Sequence, residues 1–267
     1  MLDLPEIGLG TARNDDATTR RVVAEAIEVG YRLIDTAAKY ENEVGVGQGI
    51  ADAGLARDEL FVTTKLRGAD QGYEQARKAL RASLDRLQLD HVDLYLIHWP
   101  LPRLGKFVDS YRAMVEMQAE GLTRHVGVSN FLPEHLQALA DAGLPTPAVN
   151  QVEFHPRLQQ ADVVAENSRR GVVTEAWSPL GAGTGILEEP AIVSIADAHG
   201  VSPAQVVLRW DLQRGVVTIP KASSRERLVA NLDVHGFELL PEQVAAIDAL
   251  ERGERTSGQD PAVHEEF

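Results

Sequence analysis

Short apolar runs alternate along this chain with longer segments that have helical periodicity. Runs of this kind, bounded by turn residues and separated by helical patterns, are typical of buried parallel strands. The pattern predicts strands at Ile7–Thr11, Leu33–Asp35, Phe61–Lys65, Val92–His98, His125–Ser129, Ala148–Glu153, Val172–Ala176 and Val216–Pro220. It predicts helices at Ala17–Val29, Asn42–Ala53, Gly72–Leu87, Val108–Glu120, Pro133–Ala142, Ala161–Arg170, Ala191–His199 and Pro203–Gln213.

The alternation has no linker rich in proline, glycine or serine, so we expect residues 1–267 to form a single domain. Alternating strands and helices indicate a parallel sheet of the α/β class, and eight repeats favour a closed (β/α)8 TIM barrel over an open doubly wound sheet. The polar tail at 251–267 lacks periodicity. It is either a frayed end or a loop folded over the mouth of the barrel, where the carboxyl ends of the strands meet.

Composition narrows the classes of partner. A net charge of −14 repels polyphosphate backbones and argues against nucleic-acid binding. Cysteine is absent, which excludes disulfides and thiolate chemistry. The first residues lack the basic and apolar regions of a signal peptide, and no apolar stretch approaches the roughly 20 residues of a membrane span. We therefore expect a cytoplasmic monomer that acts on a small molecule.

Three predicted strands in the first hundred residues end on a polar, titratable side chain. These side chains are Asp35, Lys65 and His98, and Tyr40 follows shortly after Asp35. In a parallel barrel the carboxyl ends of the strands surround one mouth, where active sites lie. An acid, a phenol, an amine and an imidazole at that mouth predict a proton-transfer site. Each residue alone has a structural explanation, such as a surface ion pair or a buried histidine.

The strand ends of the second half carry amides, hydroxyls and one aromatic ring. Ser129 and Asn130 end the fifth strand, Gln151 lies in the sixth, and Trp177 follows the seventh. These groups suit a planar carboxamide ring better than a metal, and the histidines have no close pairing suited to zinc. We expect no metal site.

These residues together resemble the aldo-keto reductases. The matching stretches are Asp35–Ala37 with Tyr40, Glu41–Glu43 with Gly45, Lys65, Leu94–Pro100, Gly127–Phe131, Asn150–Gln151, Trp177–Gly181 and Ile219–Lys221. They cover nearly the whole chain in the family's order. The chain looks most like the bacterial members described as 2,5-diketogluconate reductases or as prostaglandin F synthase-like enzymes.

The resemblance implies a barrel that reduces carbonyl groups with NADPH, and a catalytic tetrad of Asp35, Tyr40, Lys65 and His98. Tyr40 would protonate the carbonyl oxygen. A free phenol has a pKa near 10, so the ammonium of Lys65, held charged by Asp35, would lower the pKa of Tyr40. His98 would orient the substrate oxygen.

The resemblance also implies a set of cofactor-binding residues. Trp177 would stack on the nicotinamide, Ser129, Asn130 and Gln151 would bind its carboxamide, and the segment from Lys221 to Asn231 would hold the adenosine 2′-phosphate and adenine. The full set is Gly10, Thr11, Asp35, Ser129, Asn130, Gln151, Trp177, Ser178, Pro179, Leu180, Gly181, Pro220, Lys221, Ala222, Ser223, Arg227 and Asn231. Ala222 and Ala230 depart from residues common in relatives and are expected to loosen adenosine binding.

For the substrate, the resemblance points to Tyr40, His98 and Trp99, with Arg67 and Arg13 at the rim. Positive charges there would favour carboxylated or polyhydroxylated carbonyls, although both arginines could equally be solvated surface residues. Gly45-Val46-Gly47-Gln48-Gly49 lacks the spacing of a dinucleotide-binding fingerprint, and we interpret it as a packing face of the second helix.

Two other functions remain open from the residues. One is a nicotinamide-sensing or regulatory subunit on the same fold, which turnover of a simple aldehyde would exclude. The other is a metal-dependent barrel hydrolase, which insensitivity to chelators would exclude.

Overall fold

Eight parallel strands form the centre of the molecule in the computed structural model, which describes residues 2–266. The strands are β1 Leu9–Gly10, β2 Leu33–Asp35, β3 Phe61–Leu66, β4 Val92–Ile97, β5 Thr123–Ser129, β6 Val149–Glu153, β7 Val173–Trp177 and β8 Val217–Thr218. Each strand pairs with its neighbours in sequence. A parallel bridge between Ile7 and Thr218 joins the first strand to the last, and the Gly8 N–H donates to the carbonyl of Thr218 at 2.9 Å. The sheet is therefore closed, which confirms the predicted barrel.

Ten α-helices within residues 2–266 lie around the barrel or follow its last strand. They are α1 Asp16–Val29, α2 Glu43–Ala53, α3 Tyr73–Leu87, α4 Phe107–Ala119, α5 Pro133–Asp141, α6 Ala161–Arg170, α7 Pro190–His199, α8 Pro203–Gln213, α9 Arg225–Leu232 and α10 Pro241–Asp248. Local sequence fixes several of their starts. The Asp15 carboxylate caps α1, and Ser202 and Gln205 form a capping box at α8. The periodicity predicts neither α9 nor α10.

The glycines of α2 provide a close packing face, as predicted. A Cβ on Gly47 would lie 2.1 Å from the carbonyl oxygen of Leu87, and a Cβ on Gly45 would lie 2.3 Å from that of Asp16. Real Cβ atoms do not approach a backbone so closely. These positions therefore accept only glycine where α2 packs on its neighbours.

Residues of the C-terminal tail up to 266 contact the side chains at the mouth of the barrel. The Thr256 N–H donates to the buried Glu153 at 2.6 Å, and the ring of His264 packs on Trp99 with centroids 4.3 Å apart. Among residues 2–266, no single helix is long and apolar enough to cross a membrane; α7 and α8, bent by 94°, meet that test together by length and composition alone.

Candidate active site

A fully buried ion pair lies at the centre of the mouth. The Lys65 Nζ, at the end of β3, lies 2.5 Å from Asp35 Oδ1, at the end of β2, and donates to the carbonyl of Thr36 at 3.0 Å. Lys65 is 0 % and Asp35 is 2 % exposed. Burial lowers the pKa of Lys65, but the charges of Asp35 and Tyr40 outweigh it and leave that pKa raised. The side chain therefore stays an ammonium in the barrel interior.

Tyr40 lies beside this pair, at the end of a short 3-10 turn, Ala38–Tyr40. Its ring centroid is 5.2 Å from the Lys65 Nζ. Burial raises the pKa of Tyr40, while Lys65 opposes this and Asp35 adds to it; the net direction is upward. Lys65 lowers the pKa of Tyr40, as expected. The expected net decrease in that pKa is wrong, because desolvation of the phenol raises the pKa by more than Lys65 lowers it.

His98 follows β4 and completes the group. Its ring meets the Tyr40 ring edge-on at 5.8 Å, so the tetrad predicted from sequence is brought together. The Asn130 side chain donates to the His98 carbonyl at 3.0 Å and fixes the backbone there.

Glu266 is a residue of this site that sequence reasoning missed. Its Oε1 lies 2.7 Å from His98 Nδ1, and its Oε2 accepts from the Gly68 N–H at 2.6 Å. A Cβ on Gly68 would lie 2.4 Å from the Glu266 carbonyl oxygen, so glycine is required for the tail to approach. Burial raises the pKa of Glu266, but the contact with His98 is the main opposing effect and the net direction is downward. The tail thus brings a carboxylate into contact with His98.

A row of amides and hydroxyls lines the opposite half of the mouth. Asn130 accepts from the Trp177 indole N–H at 2.9 Å and donates to the Ser129 hydroxyl at 3.1 Å. Asn130 has a φ of 62°, a left-handed conformation that asparagine tolerates better than most residues. The predicted carboxamide-binding residues are therefore held in one hydrogen-bonded group beside the tetrad.

Gln151 connects that row to the ion pair. Its amide nitrogen donates to Asp35 Oδ2 at 2.8 Å and to Glu175 Oε2 at 2.7 Å. Glu175, on β7, is fully buried and was also missed. Burial and the nearby charge of Asp35 raise the pKa of Glu175 to about 8. The position of this glutamate inside the apolar run Val172–Ala176 is the sequence feature that could have indicated a buried carboxyl group here.

The turn after β7 and the end of β1 carry the remaining predicted cofactor-binding residues at the mouth. Ser178 and Gly181 both have positive φ, of 52° and 69°, and the Gly181 N–H donates to the Ser178 carbonyl at 2.9 Å, enclosing Pro179 and Leu180 in a tight turn. The Thr11 hydroxyl donates to the Asp35 carbonyl at 3.1 Å. A Cβ on Gly10 would lie 3.0 Å from the Ile219 carbonyl oxygen, next to Pro220.

The predicted phosphate segment spans the end of β8 and the start of α9. Lys221, Ser223 and Arg227 are exposed, whereas Ala222 is buried in the core. Asn231 is also buried, at 3 % exposure, beside the Tyr31 hydroxyl. Burial and the charge of Arg13 lower the pKa of Lys221. Arg13 therefore lies within electrostatic reach of Lys221.

The residues predicted to contact substrate include a buried aromatic ring, Trp99, and a charged side chain at the rim, Arg67. Trp99 is 5 % exposed and its ring meets that of Trp177 edge-on at 6.5 Å, so an apolar wall is present. Arg67 is paired with Asp70, with Nε 2.5 Å from Oδ2. Its charge is therefore partly neutralised at the rim. Among residues 2–266 no cluster of three or more His, Asp or Glu side chains is arranged to hold a metal.

Comparisons with known proteins agree with this geometry. Residues 6–252 match the model of the aldo/keto reductase family. An aldo-keto reductase of Mycolicibacterium vanbaalenii is 52% identical over 252 residues, covering 94% of this chain and 90% of that protein. A solved structure of a Gox0644 variant in complex with NADPH is 42% identical and covers 98% of this chain and 95% of its own, with a TM-score of 0.93. A Bombyx mori aldo-keto reductase in complex with NADP is 35% identical, covers 95% and 91%, and has a TM-score of 0.90. None of these names specifies the 2,5-diketogluconate or prostaglandin substrates.

Proposed function

Since this chain belongs to the aldo/keto reductase family and is an oxidoreductase of that family, we propose that it reduces a small aldehyde or ketone with NADPH. The observation that carries the proposal is the convergence of Tyr40, the Lys65–Asp35 pair and His98 at one barrel mouth. The NADPH-bound and NADP-bound relatives support the choice of cofactor.

The chain's residues suit that cofactor. Trp177 offers an indole face next to the amide row of Ser129, Asn130 and Gln151, which fits a planar carboxamide ring. At the far end, Lys221 and Arg13 are two cations close enough to affect one another, and Arg227 lies in the first turn of α9. Neighbouring cations beside a helix N-terminus suit a phosphate group.

The proton-transfer half follows from the tetrad. NADPH, when bound, supplies a hydride to the carbonyl carbon. Tyr40 donates its hydroxyl proton to the carbonyl oxygen, and its raised pKa keeps that proton in place at neutral pH. The Lys65 ammonium stabilises the phenolate left behind, and Asp35 holds the ammonium in position. His98 orients the carbonyl oxygen towards Tyr40.

The tail favours one class of substrate. Glu266 places a buried carboxylate against His98, and Asp70 already pairs with Arg67. A carboxylated substrate would bring a like charge to Glu266 and find no free cation in Arg67. We therefore infer that neutral carbonyl compounds are preferred to the keto-sugar acids that the rim arginines first suggested.

The test is the consumption of NADPH across a panel of neutral aldehydes, diketones, keto-sugars and keto-acids, with and without a chelator. Turnover of a neutral aldehyde that is insensitive to the chelator is expected. Tyr73→Phe is a matched control, because Tyr73 lies on α3 and contacts Glu116 at the surface. Binding of NADPH without turnover of any member of the panel would indicate a sensor and contradict the proposal.

A further inference from the structure

Two carboxyl groups and one ammonium are enclosed beneath the mouth. Asp35, Glu175 and Lys65 are 2 %, 0 % and 0 % exposed. Both carboxyl groups accept from the same amide nitrogen of Gln151, at 2.8 and 2.7 Å. An isolated buried charge is costly, and a single cation cannot fully compensate two buried anions.

The geometry decides which carboxyl group is ionised. Asp35 contacts the Lys65 ammonium directly at 2.5 Å, whereas Glu175 interacts with that ammonium only through a longer-range electrostatic attraction. Glu175 Oε1 has no hydrogen-bond partner within residues 2–266. The groups that face Glu175 are Asp35 from β2, Lys65 from β3 and the neutral Gln151 from β6; its neighbour on β8, Val217, is apolar. With the pKa of Glu175 raised to about 8, the group formed by Asp35, Lys65 and Glu175 has no net charge at neutral pH.

Oxidation of the nicotinamide changes this balance. The ring of NADPH is neutral and that of NADP⁺ carries a positive charge. Gln151 belongs to the row of residues that we propose above to hold the carboxamide of that ring. Glu175 accepts a hydrogen bond from Gln151, so a single side chain separates Glu175 from the carboxamide. We propose that Glu175 is a proton-linked counter-charge for the nicotinamide, protonated with NADPH and ionised with NADP⁺. The proposal rests on the proposed function, because it requires the cofactor to bind in this mouth.

Linkage gives the consequence. If NADP⁺ favours the ionised carboxylate, its binding releases up to one proton from Glu175 to solvent at pH values between the lowered pKa and about 8, and NADPH binding releases none. The affinity for NADP⁺ relative to NADPH must then rise with pH. Each unit by which the nicotinamide charge lowers the Glu175 pKa corresponds to about tenfold in this ratio. The 2′-phosphate titrates equally in both cofactors and cancels.

The experiment measures dissociation constants for NADP⁺ and NADPH by quenching of tryptophan fluorescence at several pH values from 6 to 10, on the full chain. For the wild type we expect the ratio of affinities to shift by about tenfold towards NADP⁺ across this range. Glu175→Gln keeps the shape and the acceptor for Gln151, and should make the ratio independent of pH. Asp211→Asn is the matched control, since Asp211 is another fully buried carboxyl group whose pKa is raised, and it contacts Thr218 instead of Gln151.

A second measurement needs no variant. Calorimetric titration of the wild type at neutral pH, in two buffers with different ionisation enthalpies, should detect proton release with NADP⁺ and not with NADPH. A ratio that is flat with pH in the wild type, an unchanged slope in Glu175→Gln, or equal proton release with both cofactors would overturn the role of Glu175. Failure of both cofactors to bind would instead contradict the proposed function.

Discussion

The Glu266 carboxylate lies 2.7 Å from the Nδ1 of His98, and His264, two residues earlier in the tail, packs on Trp99. These two contacts hold the tail against the part of the mouth that His98 and Trp99 line. The neighbouring Glu265 instead faces Arg103 at 3.7 Å and is partly exposed. Two adjacent glutamates therefore have different environments, which allows the effect of the buried one to be isolated.

Glu266→Gln should broaden the substrate range towards anions. Removing the buried charge reduces repulsion of a carboxylated substrate near His98, so kcat/KM for a keto-acid should rise severalfold relative to that for a neutral aldehyde. Steady-state kinetics with both substrates gives the ratio. Glu265→Gln is the control and should leave it unchanged; a similar rise in both variants would indicate a general effect of surface charge.

Lys65→Met should depress turnover strongly, because it removes the cation that stabilises the Tyr40 phenolate. Combined with Tyr40→Phe it should be little worse than either single variant, since residues that act as a unit are non-additive. Multiplicative losses in kcat would show that the two side chains act independently.

Arg227→Ala should largely remove the preference for NADPH over NADH while changing NADH binding much less. One lost charge-assisted contact is worth about 1.5–3 kcal/mol, or roughly tenfold or more in affinity. Ala222 is buried and offers no hydroxyl, so the wild-type preference should be smaller than in relatives with serine there. Arg225→Ala is the matched control, because Arg225 is paired with Glu28 at 2.9 Å. Equal wild-type affinities for NADPH and NADH would contradict the phosphate-site assignment.

Glu175→Gln should change the pH dependence of stability. The pKa of Glu175 is about 8 in the folded state and near 4.5 in the unfolded chain. Between these values the folded state binds more protons, so this group makes stability fall as pH rises, by up to about 1.4 kcal/mol per pH unit. The variant should therefore gain stability relative to wild type between pH 5 and pH 8. Urea unfolding at both pH values measures the difference, and a constant difference would mean that Glu175 is ionised throughout.

Strand-end chemistry explains why much of the site could be predicted from sequence. Asp35, Lys65 and His98 each end an apolar run, and barrel topology brings such ends together. Helix bounds agreed within one residue for the predicted helices because capping residues and glycines mark them locally.

What could not be predicted depends on contacts distant in sequence. Glu266 acquires its role only when the tail reaches Gly68, and the polar tail has no periodicity to indicate that path. Whether the pKa of Tyr40 rises or falls depends on the balance between burial of the phenol and the charge of Lys65. The spacing of residues along the chain contains no information about this balance. The charge of Arg13 also lowers the pKa of Lys221, an interaction between residues distant in sequence that the strand and helix pattern does not contain.

Tyr40→Phe is the variant that separates Tyr40 as the proton donor from the other residues of the site. The phenol acts on the substrate oxygen and not on the cofactor, and general acid catalysis typically contributes about 10²–10⁴-fold. Turnover of a neutral aldehyde and NADPH binding by fluorescence quenching should be measured on the same preparation. We expect the variant to lose most turnover and to bind NADPH with nearly unchanged affinity. If the variant retained more than roughly a third of wild-type turnover, the loss would be far smaller than removal of a general acid causes. That result would contradict the role of Tyr40 as the proton donor.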